Sequence, residues 1–152
     1  MPKTNLFFRK YQFYIGIDTG MKTGVGCWWK EKNEITLIGE YKIHEAMDLV
    51  RKAHRLYPGG VYVRVEDARL RTWIPRMPNV TRELGRREGA GYVKAHAAIW
   101  DDFLKDLGVD YEMVAPKNNK TKVSAPYFKS LTGYQKPTNE HGRDACMLVY
   151  GL

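Results

Sequence analysis

The chain reads as an α/β fold: a mixed five-stranded sheet, three antiparallel strands followed by two parallel ones, flanked by helices. Three observations predict it. Residues 12 to 41 hold three runs of strand character joined by short polar or glycine-rich turns. Two later runs, 61 to 65 and 111 to 115, are short and apolar in the manner of strands buried in a sheet centre. Helical stretches separate and follow them, and the resulting order βββαβαβα places helices against a mixed sheet.

Each element has its own signal. Phe13, Ile15 and Ile17 alternate with Tyr14, Gly16 and Asp18, the two-residue period of a strand. Glycines from Gly20 to Gly26 supply turns before β character resumes over 25 to 29, so the chain starts with a hairpin. Ile35-Thr36-Leu37-Ile38 follows the polar Lys30-Glu31-Lys32-Asn33 turn and completes an antiparallel meander. Over 44 to 56, Ala46, Leu49, Val50 and Ala53 form one helical stripe, which Pro58-Gly59-Gly60 stops. A long helix runs from about 81 to 107, with Leu84, Glu88, Ala95, Ile99 and Phe103 near helical spacing and Gly108 as its stop. A short helix over 124 to 131 closes at Gly133, and a last one spans 140 to 150. Neither repeats nor a composition shift mark a second domain, so residues 1 to 152 are expected to form one.

At 152 residues the chain can bury roughly two-thirds of its unfolded surface around one core. Cys27 and Cys146 are its two cysteines, and no cysteine or histidine spacing resembles a zinc site, so free thiols in a reducing compartment are expected. Leu6-Phe7-Phe8 is too short for a signal h-region, and no apolar run could span a bilayer; an intracellular, cytoplasmic protein is expected. With 25 Lys plus Arg against 17 Asp plus Glu, the formal charge is +8. A basic exterior around an acidic pocket fits a polyanion handled through divalent cations, against the plainer reading of ordinary solubility charge.

The acidic pocket is predicted from three element ends. Ile15-Gly16-Ile17-Asp18-Thr19-Gly20 ends an apolar strand in a carboxylate, Val61-Tyr62-Val63-Arg64-Val65-Glu66-Asp67 does so again, and Glu140-His141-Gly142-Arg143-Asp144-Ala145-Cys146 opens an apolar helix with acid. A buried carboxylate is costly unless a cation meets it, so three such ends point to one metal site, and without metal at least one of the acids should be harder to ionise. Competing roles are a turn aspartate for Asp18, a salt bridge from Arg64 or Arg69 for Glu66, and a helix-dipole role for Asp144. His141 and Asp144 lie three apart and share a helix face, with plain exposure the alternative for His141. Asp67 points to the opposite strand face, where exposure or arginine pairing is expected, which leaves it a reserve ligand; Glu140 reads as a capping acid.

Taken as a set and in this order, the Ile-Gly-Ile-Asp-Thr-Gly strand, the Val-Glu-Asp strand end and the His-Gly-Arg-Asp-Ala helix start resemble the RuvC-type Holliday-junction resolvases of the ribonuclease H-like superfamily. Gly85-Arg86-Arg87-Glu88-Gly89-Ala90-Gly91 and Val114-Ala115-Pro116 add to the likeness, while the compact stretch between Pro116 and Glu140 is more like trimmed, phage-type members. The resemblance implies a ribonuclease H-like fold and catalytic, metal-binding roles for Asp18, Glu66 and Asp144, with His141 where members carry a further acid or a histidine. It implies two divalent ions, Mg²⁺ or Mn²⁺, and a homodimer that resolves four-way DNA junctions by paired nicks. The alternatives are another nuclease of this fold acting on RNA precursors or on flap or duplex DNA, and a non-catalytic binder of branched nucleic acid.

Beyond Glu66, Arg69, Arg71 and Arg76 are candidate phosphate contacts, and Trp73 can stack on an unpaired base, with core packing as its alternative. In the resembled family an aromatic in this region inserts at the junction centre; Ile74 and Met77 are the other candidates. Lys117, Lys120 and Lys122, followed by Lys129 and Lys136, form a second basic set for backbone contact or a solvated face. Gly85, Gly89, Ala90 and Gly91 beside Tyr92, Ile99 and Phe103 leave two readings of the long helix: a twofold dimer through residues 85 to 103, or packing onto the chain's own sheet.

Overall fold

The protein is described by a computed structural model over residues 11–71, 80–116 and 122–152. The strands are β1 (Phe13–Asp18), β2 (Lys22–Trp29), β3 (Glu34–Lys42), β4 (Val61–Glu66) and β5 (Asp110–Val114). The helices are α1 (Ile43–Leu56), α2 (Val80–Leu107), α3 (Ala125–Thr132) and α4 (Glu140–Met147). They form one sheet of order β3-β2-β1-β4-β5. β1, β2 and β3 pair antiparallel, while β4 pairs parallel with both β1 and β5. This is the mixed five-stranded sheet expected from the strand pattern.

Alternation sorts the sheet's side chains onto two faces. On one, Ile15, Ile17, Val25, Val63 and Val65 pack with Val50 of α1 and with Trp100 and Leu104 of α2. On the other, Tyr14, Trp28 and Tyr62 pack with Phe128 of α3 and with Cys146 and Val149. Cys27 belongs to the first face and Cys146 to the second; both are free, and burial pushes each thiol up to about 12. No helix among the described residues is long and apolar enough to cross a membrane.

Two boundaries differ from the sequence reading, with consequences for the site. β2 begins at Lys22, so Gly24 and Gly26 lie inside a strand, not in a turn. Their role is close approach: a Cβ at Gly24 would stand 1.9 Å from the His141 carbonyl oxygen, one at Gly26 2.5 Å from Cys146 Cα, and one at Gly16 1.9 Å from the Ala145 carbonyl oxygen. Only bare backbone lets α4 lie this near the sheet. The second difference is at the end of α4. The helix stops at Met147, and the chain tightens into turns in which Leu148 N–H donates to Ala145 and Val149 N–H to Cys146. Its start is capped by Asn139, whose side chain accepts from Gly142 N–H at 2.7 Å, leaving Glu140 in the first turn and not at the cap.

Candidate functional site

Parallel pairing of β1 with β4 aligns Ile17 with Val65, so Asp18 and Glu66 leave neighbouring central strands at the same end of the sheet. Thr19 Oγ1 donates to the Glu66 carbonyl at 3.3 Å and ties the two strand ends together. The glycine seat under α4 brings His141 and Asp144 over that end. His141 Nδ1 lies 3.0 Å from Asp18 Oδ2, and its Nε2 lies 4.0 Å from Glu40 Oε2 on β3. Asp18, Glu66, His141 and Asp144 are therefore gathered from three elements at one end of the sheet. Glu40 had no signal in the sequence; only the register of β2 with β3, Gly24 opposite Glu40, carries it there.

The three carboxylates oppose one another. Burial raises the Asp18 carboxyl and Asp144 raises it further, against the His141 hydrogen bond and the Lys122 charge. Glu66 is raised by burial and by the charges of Asp18 and Asp144, with Arg71 and Lys122 drawing it back. Asp144 is raised by burial, with Lys122 opposing. All three are thus harder to ionise than a free carboxyl, where the sequence required one at least.

Lys122 is differently placed from a lysine that faces a phosphate. Its ammonium is bonded to Glu140 and lies 3.8 Å from Asp144 Oδ2. Among the described residues, no three His, Cys, Asp or Glu side chains converge closely enough to hold an ion as they stand. The donor chemistry nevertheless fits a divalent cation. Three carboxylates and an imidazole face one region, each carboxyl is raised from its ordinary value, the Lys122 ammonium lies against Asp144 and the His141 ring against Asp18.

The neighbouring arginines serve the fold. Asp67 is 1% exposed, which corrects the solvent-facing alternative, and its carboxylate is forked by Arg69 at 2.7 to 3.0 Å. The same guanidinium reaches Asp101 Oδ2 at 3.2 Å on α2, and Tyr111 of β5 donates to Asp101 Oδ1 at 2.6 Å. Arg69 thereby forms a latch between β4, α2 and β5. Arg64 is ion-paired with Glu112 at 2.6 Å and donates to the Leu148 carbonyl, so neither arginine neutralises Glu66. Arg71 is exposed and its charge reaches Glu66.

Trp73, Ile74, Arg76, Met77, Lys117 and Lys120 lie outside the described residues. Lys129 and Lys136 are exposed. On α2, Gly89 and Gly91 have nothing within 4 Å of where a Cβ would sit, and Tyr92 and Ile99 are 67% and 50% exposed. Among the described residues, nothing packs against the two glycines, and Tyr92 and Ile99 keep at least half of their surface exposed. Phe103 does the opposite, meeting Trp100 edge to face at 5.6 Å.

No family model and no curated protein sequence matches the chain. Among solved structures, it is similar to "T. thermophilus RuvC in complex with Holliday junction substrate", with a TM-score of 0.52 over 88% of each chain at 16% sequence identity. At that identity the likeness establishes architecture: the mixed sheet and its flanking helices are those of a ribonuclease H-like fold.

Proposed function

We propose that this protein is a divalent-metal-dependent endonuclease that cuts branched DNA at four-way junctions. The observation that carries the reading is the placement of Asp18, Glu66 and Asp144 at one end of the sheet, each raised by burial and the first two raised further by neighbouring acid charge, in a chain of formal charge +8. Carboxylates so arranged cost stability in an empty pocket and repel a polyanion; both penalties vanish when cations bind. In this reading Asp18, Glu66 and Asp144 hold Mg²⁺ or Mn²⁺, as two ions, with His141 beside them. When bound there, divalent ions would supply Lewis acidity at the scissile phosphate and charge neutralisation at the leaving oxygen. Asp18 holds His141 through Nδ1, which leaves Nε2 to take a proton from the attacking water.

The fold shared with a resolvase solved on a Holliday junction supports branched DNA as the substrate. Arg71, with Trp73, Arg76, Lys117 and Lys120, is assigned to the DNA. Two active sites are needed for paired nicks, and the exposed Tyr92 and Ile99 on α2 are assigned to a homodimer contact. Sedimentation of a Tyr92→Glu, Ile99→Glu variant tests this: it should run as a monomer where the parent runs as a dimer, and an unchanged mass would remove the contact.

A second reading, a non-catalytic binder of branched nucleic acid, draws on the lack of three converging ligands among the described side chains. An end-labelled four-way junction, matched duplex, flap DNA and structured RNA, each with Mg²⁺, Mn²⁺ or chelator, separate the two. Metal-dependent paired nicks near the branch are expected. Junction binding without cuts under either metal would favour the binder, and equal cutting of flap, duplex or RNA would replace the junction as substrate.

A further inference from the structure

We propose that Lys122 is a built-in cation of the acid cluster, held against Glu140 and Asp144 in the metal-free protein and displaced when a divalent ion enters. The inference rests on the metal-site reading above and adds a competitor to it. Glu140 and Asp144 lie one turn apart on the same face of α4, and the Lys122 ammonium is bonded to the first and 3.8 Å from the second.

This placement is built into the backbone. Arg143, on the same helix, donates from Nε to the Val123 carbonyl at 3.0 Å and from its guanidinium to the Thr138 carbonyl and hydroxyl, also at 3.0 Å. The residue next to Lys122 is thus pinned to the helix that carries Asp144. Ser124 then caps α3, so the chain direction on the far side of Lys122 is set as well.

One charge placed here acts on the whole cluster: it draws down Asp18, Glu66 and Asp144 alike. The lysine side chain is still 62% exposed, on a flexible stem that can leave without disturbing the core. A divalent ion brings more charge to the same carboxylates and cannot share them with an ammonium at close range. Lys122 therefore stabilises the metal-free site and weakens metal binding by the cost of its own displacement.

Calorimetric titration of Mn²⁺ into the full-length protein tests this, comparing the parent with Lys122→Met, Lys122→Gln and Lys122→Arg. The neutral variants should bind Mn²⁺ roughly tenfold tighter, the size expected for removing one charge a few ångströms away in a solvated site. Lys122→Arg should stay near the parent. Metal-free Lys122→Met should also melt below the parent, with the gap closing at saturating Mn²⁺. Unchanged or weaker Mn²⁺ affinity in both neutral variants would overturn the displacement. Absence of saturable Mn²⁺ binding in all four proteins would instead overturn the metal-site reading, and the inference with it.

Discussion

Asp18 and His141, 123 positions apart in the chain, meet at 3.0 Å between Oδ2 and Nδ1. The contact joins the end of β1 to the first turn of α4, and Asp144 is carried one turn further along the same helix. Asp18→Asn keeps the shape and a hydrogen-bonding group for His141 but removes the charge that a metal needs. Turnover should fall by at least about a hundredfold while junction binding stays near the parent. Retained cleavage in a single-turnover assay would remove Asp18 from the catalytic set.

Glu66 offers the cleanest test of the cluster's electrostatic cost, because neither Arg64 nor Arg69 neutralises it. Its folded-state pKa is raised, so the folded protein binds the proton more tightly than the unfolded chain does. Its contribution to stability is therefore present at acid pH, below the ordinary carboxylate value, and is lost as pH rises through the raised value. Metal-free Glu66→Gln should melt above the parent at neutral pH, and the advantage should shrink as pH falls into the carboxylate range. Thermal melts across that range in chelator check the sign; a lower melting temperature for the variant at neutral pH would contradict it.

The seat of α4 makes a prediction of opposite signs at two glycines. At Gly26 a methyl group would strike Cys146 backbone, and overpacking of this kind costs about 1–3 kcal/mol. Gly89 faces open space in the middle of α2, where alanine should stabilise by about 1 kcal/mol. Melting temperatures of Gly26→Ala and Gly89→Ala should therefore move down and up respectively, by roughly 2–4 °C for each kcal/mol. Gly26→Ala should also weaken Mn²⁺ binding, since it lifts the helix that carries His141 and Asp144.

Arg69 and Arg71, two residues apart, should separate stability from DNA binding. Arg69→Met strands the buried Asp67 carboxylate, at a cost of about 2–3 kcal/mol given that the arginine is itself partly exposed. It should leave the salt dependence of DNA binding unchanged. Arg71→Met should do the reverse, barely affecting melting and reducing the log–log salt slope by about 1. Binding isotherms at several salt concentrations, together with melts, decide the assignment.

The sheet and helices were legible because each strand is a short apolar run and each helix is bounded by polar or glycine punctuation. Gly108 and Gly133 end α2 and α3 with φ of 77° and 73°, as a glycine stop requires. The site acids were legible for a related reason: each interrupts apolar sequence at an element end. What could not be read depends on elements meeting in space. Gly24 and Gly26 have the composition of a turn, and only the crossing of α4 shows them to be a packing surface. Glu40 and Lys122 reach the cluster through strand register and through Arg143's hold on Val123, neither of which leaves a local pattern. Arginine pairing of Asp67 is among the expected readings, and the 3₁₀ turn Ala68–Leu70 chooses it over exposure by folding Arg69 back onto the strand end.

The proposed endonuclease activity depends on Asp18, Glu66 and Asp144 forming a divalent-metal centre. Anomalous diffraction from crystals of the full-length protein soaked in Mn²⁺, with a chelator-treated crystal as the blank, tests it most directly. Manganese peaks bounded by these three carboxylates are expected, with Lys122 turned away from Asp144. A soaked crystal with no anomalous density at this end of the sheet, and Lys122 still on Asp144, would contradict the metal-site reading.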